Sequence, residues 1–124
     1  MPTSAGLRVI FDAKGFVSRG WCQGVDARDA RGEEVEPWDE AARSWSLLGA
    51  IVAVLEVAAR EEGEIPLEEL AACLYALADV IEVDSLAEWN DHPGRAQAEV
   101  LEALAAAEDK FEPPWPEEAQ FHAN

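Results

Sequence analysis

The segment Trp89-Asn90-Asp91-His92 places an aromatic ring, an amide, a carboxylate and an imidazole in four consecutive residues. Side chains of these types can build a polar site between helices. In one interpretation, Asp91 and His92 bind a cation together with Glu88 or Glu56, or act as an acid/base pair. The chemistry would then depend on which elements bring these groups together.

The same segment also has a structural interpretation. Pro93 is well suited to the first position of a helix, and we predict that this last helix runs from 93 to about 110. Trp89 would fill the core, and Asn90 or Asp91 would bind the free backbone N–H groups at the start of the helix.

Glu56 is the second candidate, because between Leu47 and Ala59 no other residue is charged. A buried carboxylate needs a partner, which Arg19, Arg43 or the Trp21 N–H could supply, or else a raised pKa. The alternative is a narrow solvated strip that Glu56 shares with Arg60, four residues later in the favourable order.

Two glycines flank Trp21 in Gly20-Trp21-Cys22-Gln23-Gly24. Trp21 fits a core position or a ligand-stacking platform, and Gln23 fits a backbone cap or a ligand contact. Tryptophans from three segments could also line one apolar cleft with a few polar groups, as ligand sites often do. The candidate binding residues are therefore Trp21, Gln23, Trp45, Glu56, Trp89, Asn90, Asp91 and His92.

No motif in the sequence assigns a reaction. Phosphate-binding glycine motifs are absent, and the two Cys and two His residues are single and widely spaced, unlike zinc ligands. Cys22 and Cys73 are expected to be reduced, buried side chains. We predict no catalytic residue, no cofactor and no metal.

Periodicity predicts a mainly α fold, a bundle of about four helices. A first helix follows a cap at Ser4, although Leu7–Phe11 could instead be a strand, and a short β-hairpin is predicted near 20–36. The helix 38–62 is apolar on nearly all sides and should be central. Gly49 in its middle indicates close approach of another backbone.

The next helix should run from about Pro66 to Ile81 and bury one stripe, namely Leu67, Leu70, Ala71, Leu74, Leu77, Ala78 and Ile81. Asp84-Ser85 could cap a short turn. We expect one helical domain over 1–111 and a proline-rich tail over 112–124, with Trp115 and Phe121 as its anchors.

The charge of the 124-residue chain is −17 and is unevenly distributed. Residues 61–124 carry two basic and seventeen acidic side chains, a net charge of −15. This excludes the basic footprint that direct nucleic-acid binding needs, and favours a basic protein partner. No signal peptide or membrane-length apolar run is visible, so we expect a cytoplasmic protein that does not bind membranes.

Four short pieces of the sequence follow one another in a recognisable order. They are Gly20-Trp21-Cys22-Gln23-Gly24, Ala42-x-x-Trp45-x-x-x-Gly49-Ala50, Trp89-Asn90-Asp91-x-Pro93 and Glu99-Val100-Leu101. Together they resemble an uncharacterised family of small bacterial and phage proteins, a domain of unknown function. The resemblance spans most of residues 5–108 and implies one cytoplasmic helical domain. It implies no activity, cofactor or catalytic residue.

Three functional hypotheses follow. The first is an acidic protein-interaction module that binds a basic partner, or that mimics nucleic acid and so inhibits a nucleic-acid-binding protein. The second is a small-molecule or metal-binding domain, or an enzyme, with the tryptophan-lined cleft as its site. The third is a homodimer or larger assembly that covers Trp38, Trp115 and Phe121.

Overall fold

The computed structural model describes residues 5–82 and 85–111, which form five helices and one two-stranded antiparallel sheet. The mainly α prediction with a short β segment is confirmed. The predicted cap at Ser4 and the tail 112–124 lie outside the described residues. The elements are α1 (Ala5–Arg19), β1 (Ala27–Arg28), β2 (Ser44–Trp45), α2 (Leu47–Glu62), α3 (Leu67–Ile81), α4 (Leu86–Asp91) and α5 (Gln97–Glu108).

The central helix is α1, which packs against α2, α3 and α5. One face of α1 is fully buried through Val9, Ile10, Ala13 and Val17, the 3.6-residue period of a helix rather than the alternation of a strand. The prediction that α2 is central was wrong, since α2 packs mainly against α1 and α4, whereas α1 is in contact with three helices. Several helices of the chain are rich in apolar residues, and only their assembly decides which one the others surround.

The second helix begins at Leu47, not at residue 38 as predicted. Ser46 is extended, and its hydroxyl accepts the Gly49 N–H at 2.9 Å, so it caps the helix. The preceding Ser44–Trp45 pairs with Ala27–Arg28 as β2, and the Trp45 N–H donates to the Gly20 carbonyl at 3.0 Å. Because these partners are distant in sequence, helical periodicity could not reveal them. The prediction therefore began the helix too early.

Gly49 and Gly20 lie where two backbones touch. A Cβ on Gly49 would stand 1.9 Å from the Asp26 carbonyl oxygen, and one on Gly20 would stand 2.2 Å from that of Arg43. The close approach predicted at Gly49 is therefore confirmed. The Gly49 contact holds the loop between α1 and α2 against the start of α2, and the Gly20 contact joins the two ends of that loop.

The third helix was predicted correctly in position, but its buried face was predicted only in part. Leu77 is buried as expected, together with Cys73 and Ala76. Leu67, Ala71 and Ala78 of the predicted stripe are exposed. A helix this rich in Leu and Ala offers overlapping apolar stripes, and its packing against α1 and α5 selects one of them.

The last helix begins at Gln97, not at Pro93. Gly94 adopts φ +87°, a left-handed conformation, and the Arg95 N–H closes a turn onto the His92 carbonyl at 3.0 Å. Glu99 then accepts the Ala96 N–H at 2.8 Å at the start of α5. Within the described ranges, none of the helices has the length and apolar content needed to cross a membrane.

Candidate functional site

Asn90 of α4 is fully buried, and all of its amide hydrogen-bonding capacity is used. Its Oδ1 accepts the Trp21 Nε1–H at 2.7 Å and the Leu47 N–H at 3.0 Å. Its Nδ2 donates to the Cys22 carbonyl at 3.1 Å and to Asp91 Oδ1 at 3.0 Å. One side chain thus links α4 to the loop after α1 and to the first turn of α2.

A second layer of bonds surrounds this amide. Gln23 Nε2 donates to the carbonyls of Asn90 at 2.9 Å and His92 at 3.0 Å. Asp91 Oδ1 also accepts the Gly24 N–H at 2.9 Å. We call the whole set the Asn90 network, and its members are Trp21, Cys22, Gln23, Gly24, Leu47, Asn90, Asp91 and His92.

The hydrogen bonds of the Asn90 network serve the fold and not a reaction. The Leu47 N–H belongs to the first turn of α2, where backbone donors have no partner inside the helix, and Asn90 supplies one. Because each amide N–H and lone pair of Asn90 already has a protein partner, none remains for a bound ligand. Asn90 and Asp91 do not cap α5, contrary to the structural interpretation drawn from sequence.

The indoles of Trp45 and Trp89 have partners different from that of the Trp21 indole, although the backbones of Trp21 and Trp45 pair as an isolated β-bridge. Trp45 is buried, its ring centroid 4.9 Å from that of Phe16, and its Nε1–H donates to the Pro37 carbonyl at 2.9 Å. Trp89 is half-buried against the core, and the guanidinium of Arg95 lies 4.0 Å above its ring. Each indole therefore has its own structural surroundings.

The side chains of His92 and Glu56 form hydrogen bonds elsewhere and not with the Asn90 amide. The His92 ring is exposed, and its Nδ1 is 2.7 Å from the Pro93 carbonyl, so a proton on Nδ1 makes that hydrogen bond. Glu56 accepts from Arg60 Nε at 3.2 Å, the i,i+4 pair that the sequence offered as the alternative. Across residues 5–82 and 85–111, no three His, Cys, Asp or Glu side chains are grouped so as to hold a metal ion.

Both cysteines are free and buried. Burial raises the pKa of the Cys73 thiol to about 12, and burial also raises the pKa of Cys22. Raised pKa values keep these thiols protonated at neutral pH, the opposite of what a cysteine nucleophile needs.

A different surface, the outer face of α3, exposes large apolar side chains. Leu67 is 68% exposed and Tyr75 79% exposed, and the exposed Ala71 lies between them at i+4 spacing. Ile65, just before the helix, is 52% exposed. Sequence reasoning missed this face because it assigned Leu67 to the core. The available signal was Tyr75, an aromatic residue outside the predicted buried stripe.

The borders of this face are acidic. Glu64, Glu68, Asp79 and Glu82 are all exposed, and α3 itself contains no basic residue. Within the described part of the chain, the cations that reach carboxylates of α3 come from α1 and from the turn after α5. Arg8 lies 3.6 Å from Glu69, and Lys110 pairs with Asp79. We call the exposed residues Glu64, Ile65, Leu67, Glu68, Ala71, Tyr75, Ala78, Asp79 and Glu82 the α3 outer face.

Comparison with known proteins adds one finding. The model of a family of unknown function, DUF6197, matches residues 2–110. The chain belongs to this family. No curated protein and no solved structure matches it.

In this member of DUF6197, three of the four pieces that carried the resemblance meet in space. The Gly20–Gly24 piece and the Trp89–Pro93 piece supply most of the Asn90 network. The piece that contains Gly49 supplies the α2 start onto which both are bonded. The pieces are therefore parts of one structural junction, and the α3 outer face lies outside all of them.

Proposed function

We propose that the protein is a cytoplasmic interaction module of bacterial or phage origin whose α3 outer face binds a basic segment of another protein. The observation that carries the proposal is an exposed apolar row, Leu67, Ala71 and Tyr75, bordered by carboxylates on a helix without basic residues. Exposed apolar patches with polar rims are typical of protein-binding surfaces.

The chemistry of this face specifies the partner. An amphipathic helix with Leu, Ile or aromatic residues along one side and Lys or Arg beside them would cover Leu67 and Tyr75 and oppose Glu64 and Glu68. Apolar burial would supply affinity, whereas the carboxylates would select the partner and speed association.

Nucleic-acid mimicry and small-molecule binding have less support. Exposed carboxylates occur on the 26–40 loop and on α2, α3, α4 and α5, a distribution that favours local pairing with a basic segment over mimicry of a phosphate backbone. A small-molecule site at the predicted tryptophan cleft has little support, because its three indoles have separate surroundings and Asn90 is saturated.

A designed peptide tests the proposal. The probe is a fluorescent amphipathic Leu/Lys helix of the same length as α3, 15 residues, and the reference probe replaces every Lys by Glu. We expect the Leu/Lys peptide to bind with a fluorescence anisotropy change. Binding should weaken as salt rises from about 0.1 M to about 1 M, since the screening length falls from about 10 Å to about 3 Å.

Variants separate a specific face from general attraction to an acidic protein. Leu67→Ser with Tyr75→Ser should weaken binding by about tenfold or more, because two exposed anchors are lost. The matched control, Phe11→Ser, removes another exposed apolar side chain, 61% exposed on α1, at no change in charge. Equal binding by both variants, or equal loss in both, would contradict a site on α3.

A further inference from the structure

A groove of about 890 Å³ lies between α2 and α5, and the exposed side of α1 forms its floor. Its apolar lining includes Phe11 from α1, Val57 from α2 and Leu101 from α5. Phe11 is 61% exposed and Val57 43% exposed, so the described part of the chain leaves these side chains largely uncovered. The groove is on a different set of helices from the α3 outer face.

The floor of the groove is open at Gly15. A Cβ placed on Gly15 would meet no atom within 4 Å, unlike one on Gly49 or Gly20. Glycine inside a helix costs about 1 kcal/mol relative to alanine, and no contact among the described residues compensates that cost. A second helix that crossed α1 at this point could approach its backbone closely.

The charge of the groove differs from that of the rest of the molecule. It is lined by three cations and three carboxylates, a balanced set on a chain of net charge −17. Two copies that met through the α3 outer face would oppose carboxylate to carboxylate, whereas two copies that met through the groove would not. The charged lining residues are Arg8, Lys14, Arg19, Asp12, Glu61 and Glu102.

Two of these charges fit a two-fold arrangement. Within the described residues, Arg19 has no carboxylate within 4 Å and Asp12 has no cation within 4 Å, whereas Arg8 and Lys14 pair with Glu62 and Glu108. Asp12, Gly15 and Arg19 lie on one side of α1 at i, i+3 and i+7.

We propose that the groove is a homodimer interface, occupied by α1 of a second copy running antiparallel and crossing near Gly15. In a two-fold interface the same patch serves both subunits. Helices that cross between positions 15 and 16 bring position 12 of one copy opposite position 19 of the other. Asp12 of each copy then pairs with Arg19 of its partner, and Phe11 of each copy is covered.

Sedimentation equilibrium on the full chain tests the proposal, with Gly15→Gln as the first variant. Open space at Gly15 and the higher helix propensity of glutamine should preserve folding, and a thermal melt of the monomer checks this. The bulkier side chain would separate the crossing helices. We expect the wild type to dimerise and Gly15→Gln to remain monomeric, whereas Tyr75→Ser on α3 should dimerise as the wild type does.

Charge reversal gives a sharper result that does not depend on packing. Asp12→Arg alone and Arg19→Asp alone each place like charges opposite each other twice, and each should raise the dimer dissociation constant by about tenfold or more. An equimolar mixture of the two variants restores opposite charges at both positions and should recover a heterodimer of near wild-type affinity.

A wild-type chain that stays monomeric up to about 1 mM would overturn the proposal. A dimer that survives Gly15→Gln, or a mixture that associates no better than its single variants, would also overturn it. Peptide binding at α3 is a separate readout, because Leu67→Ser with Tyr75→Ser changes that binding and not the dimer.

Discussion

Replacement of Asn90 by alanine tests whether the Asn90 network is structural. Asn90→Ala would leave the Leu47 N–H and the Cys22 carbonyl without partners in the interior, and the half-buried Trp21 N–H without its acceptor. A buried unsatisfied polar group costs about 1–3 kcal/mol. The three groups together predict a loss of about 3–6 kcal/mol in the free energy of unfolding. Trp21 contributes the smallest share, because water can reach its N–H.

That loss is large relative to the stability of a typical domain, about 5–15 kcal/mol. Urea unfolding followed by tryptophan fluorescence measures it as a fall in the midpoint at an unchanged slope. Gln97→Ala is the matched control, since it removes one amide hydrogen bond, from Gln97 Nε2 to the Val17 carbonyl at 2.7 Å, and should cost about 1 kcal/mol.

Asn90→Asp tests the direction in which stability changes with pH. The carboxylate would keep the bonds to Oδ1 but would face the Cys22 carbonyl and the carboxylate of Asp91 where Nδ2 now donates. Its folded-state pKa should rise above the unfolded value of about 3.9. The variant should therefore regain stability, relative to the wild type, as the pH falls towards that value. A loss below about 1 kcal/mol in Asn90→Ala would refute the structural assignment.

Further predictions concern the glycines and the cysteines. Gly49→Ala should destabilise the fold by about 2 kcal/mol or more despite the better helix propensity of alanine, because its Cβ would meet the Asp26 carbonyl at 1.9 Å. Gly15→Ala, with nothing within 4 Å, should stabilise it by up to about 1 kcal/mol, and urea titration of the pair measures both. A Gly49→Ala variant that is more stable than the wild type, or a Gly15→Ala variant that is less stable, would contradict the packing described here. Cys73, with a pKa of about 12 against 9.0 in the unfolded chain, should resist iodoacetamide at pH 8, and mass spectrometry after brief labelling checks this. The same shift contributes stability that is present below about pH 9 and lost as the pH rises towards 12, so Cys73→Ala should flatten the alkaline loss.

Local signals allowed much of the chain to be predicted from sequence. The end of α2 at Gly63 and the extent of α3 were correct, because a left-handed glycine and a run of helix-forming residues act within one or two turns. Ser85 caps α4 as expected. The pairing of Glu56 with Arg60 was also available as an i,i+4 spacing.

Tertiary structure decided the features that depend on distant partners. The starts of α2 and α5, at Leu47 and Gln97, are fixed by β2 and by a glycine turn, and they do not fall at residue 38 and at Pro93 as predicted. Asn90 was singled out for its chemistry, but its role as the buried link between α4, the loop after α1 and the start of α2 requires three segments to meet. Helical period and capping residues act over a few positions, so the sequence alone indicates the interiors of the long helices but not where each one begins. Which helices surround α1, and which face of α3 stays exposed, depends on how the helices pack together.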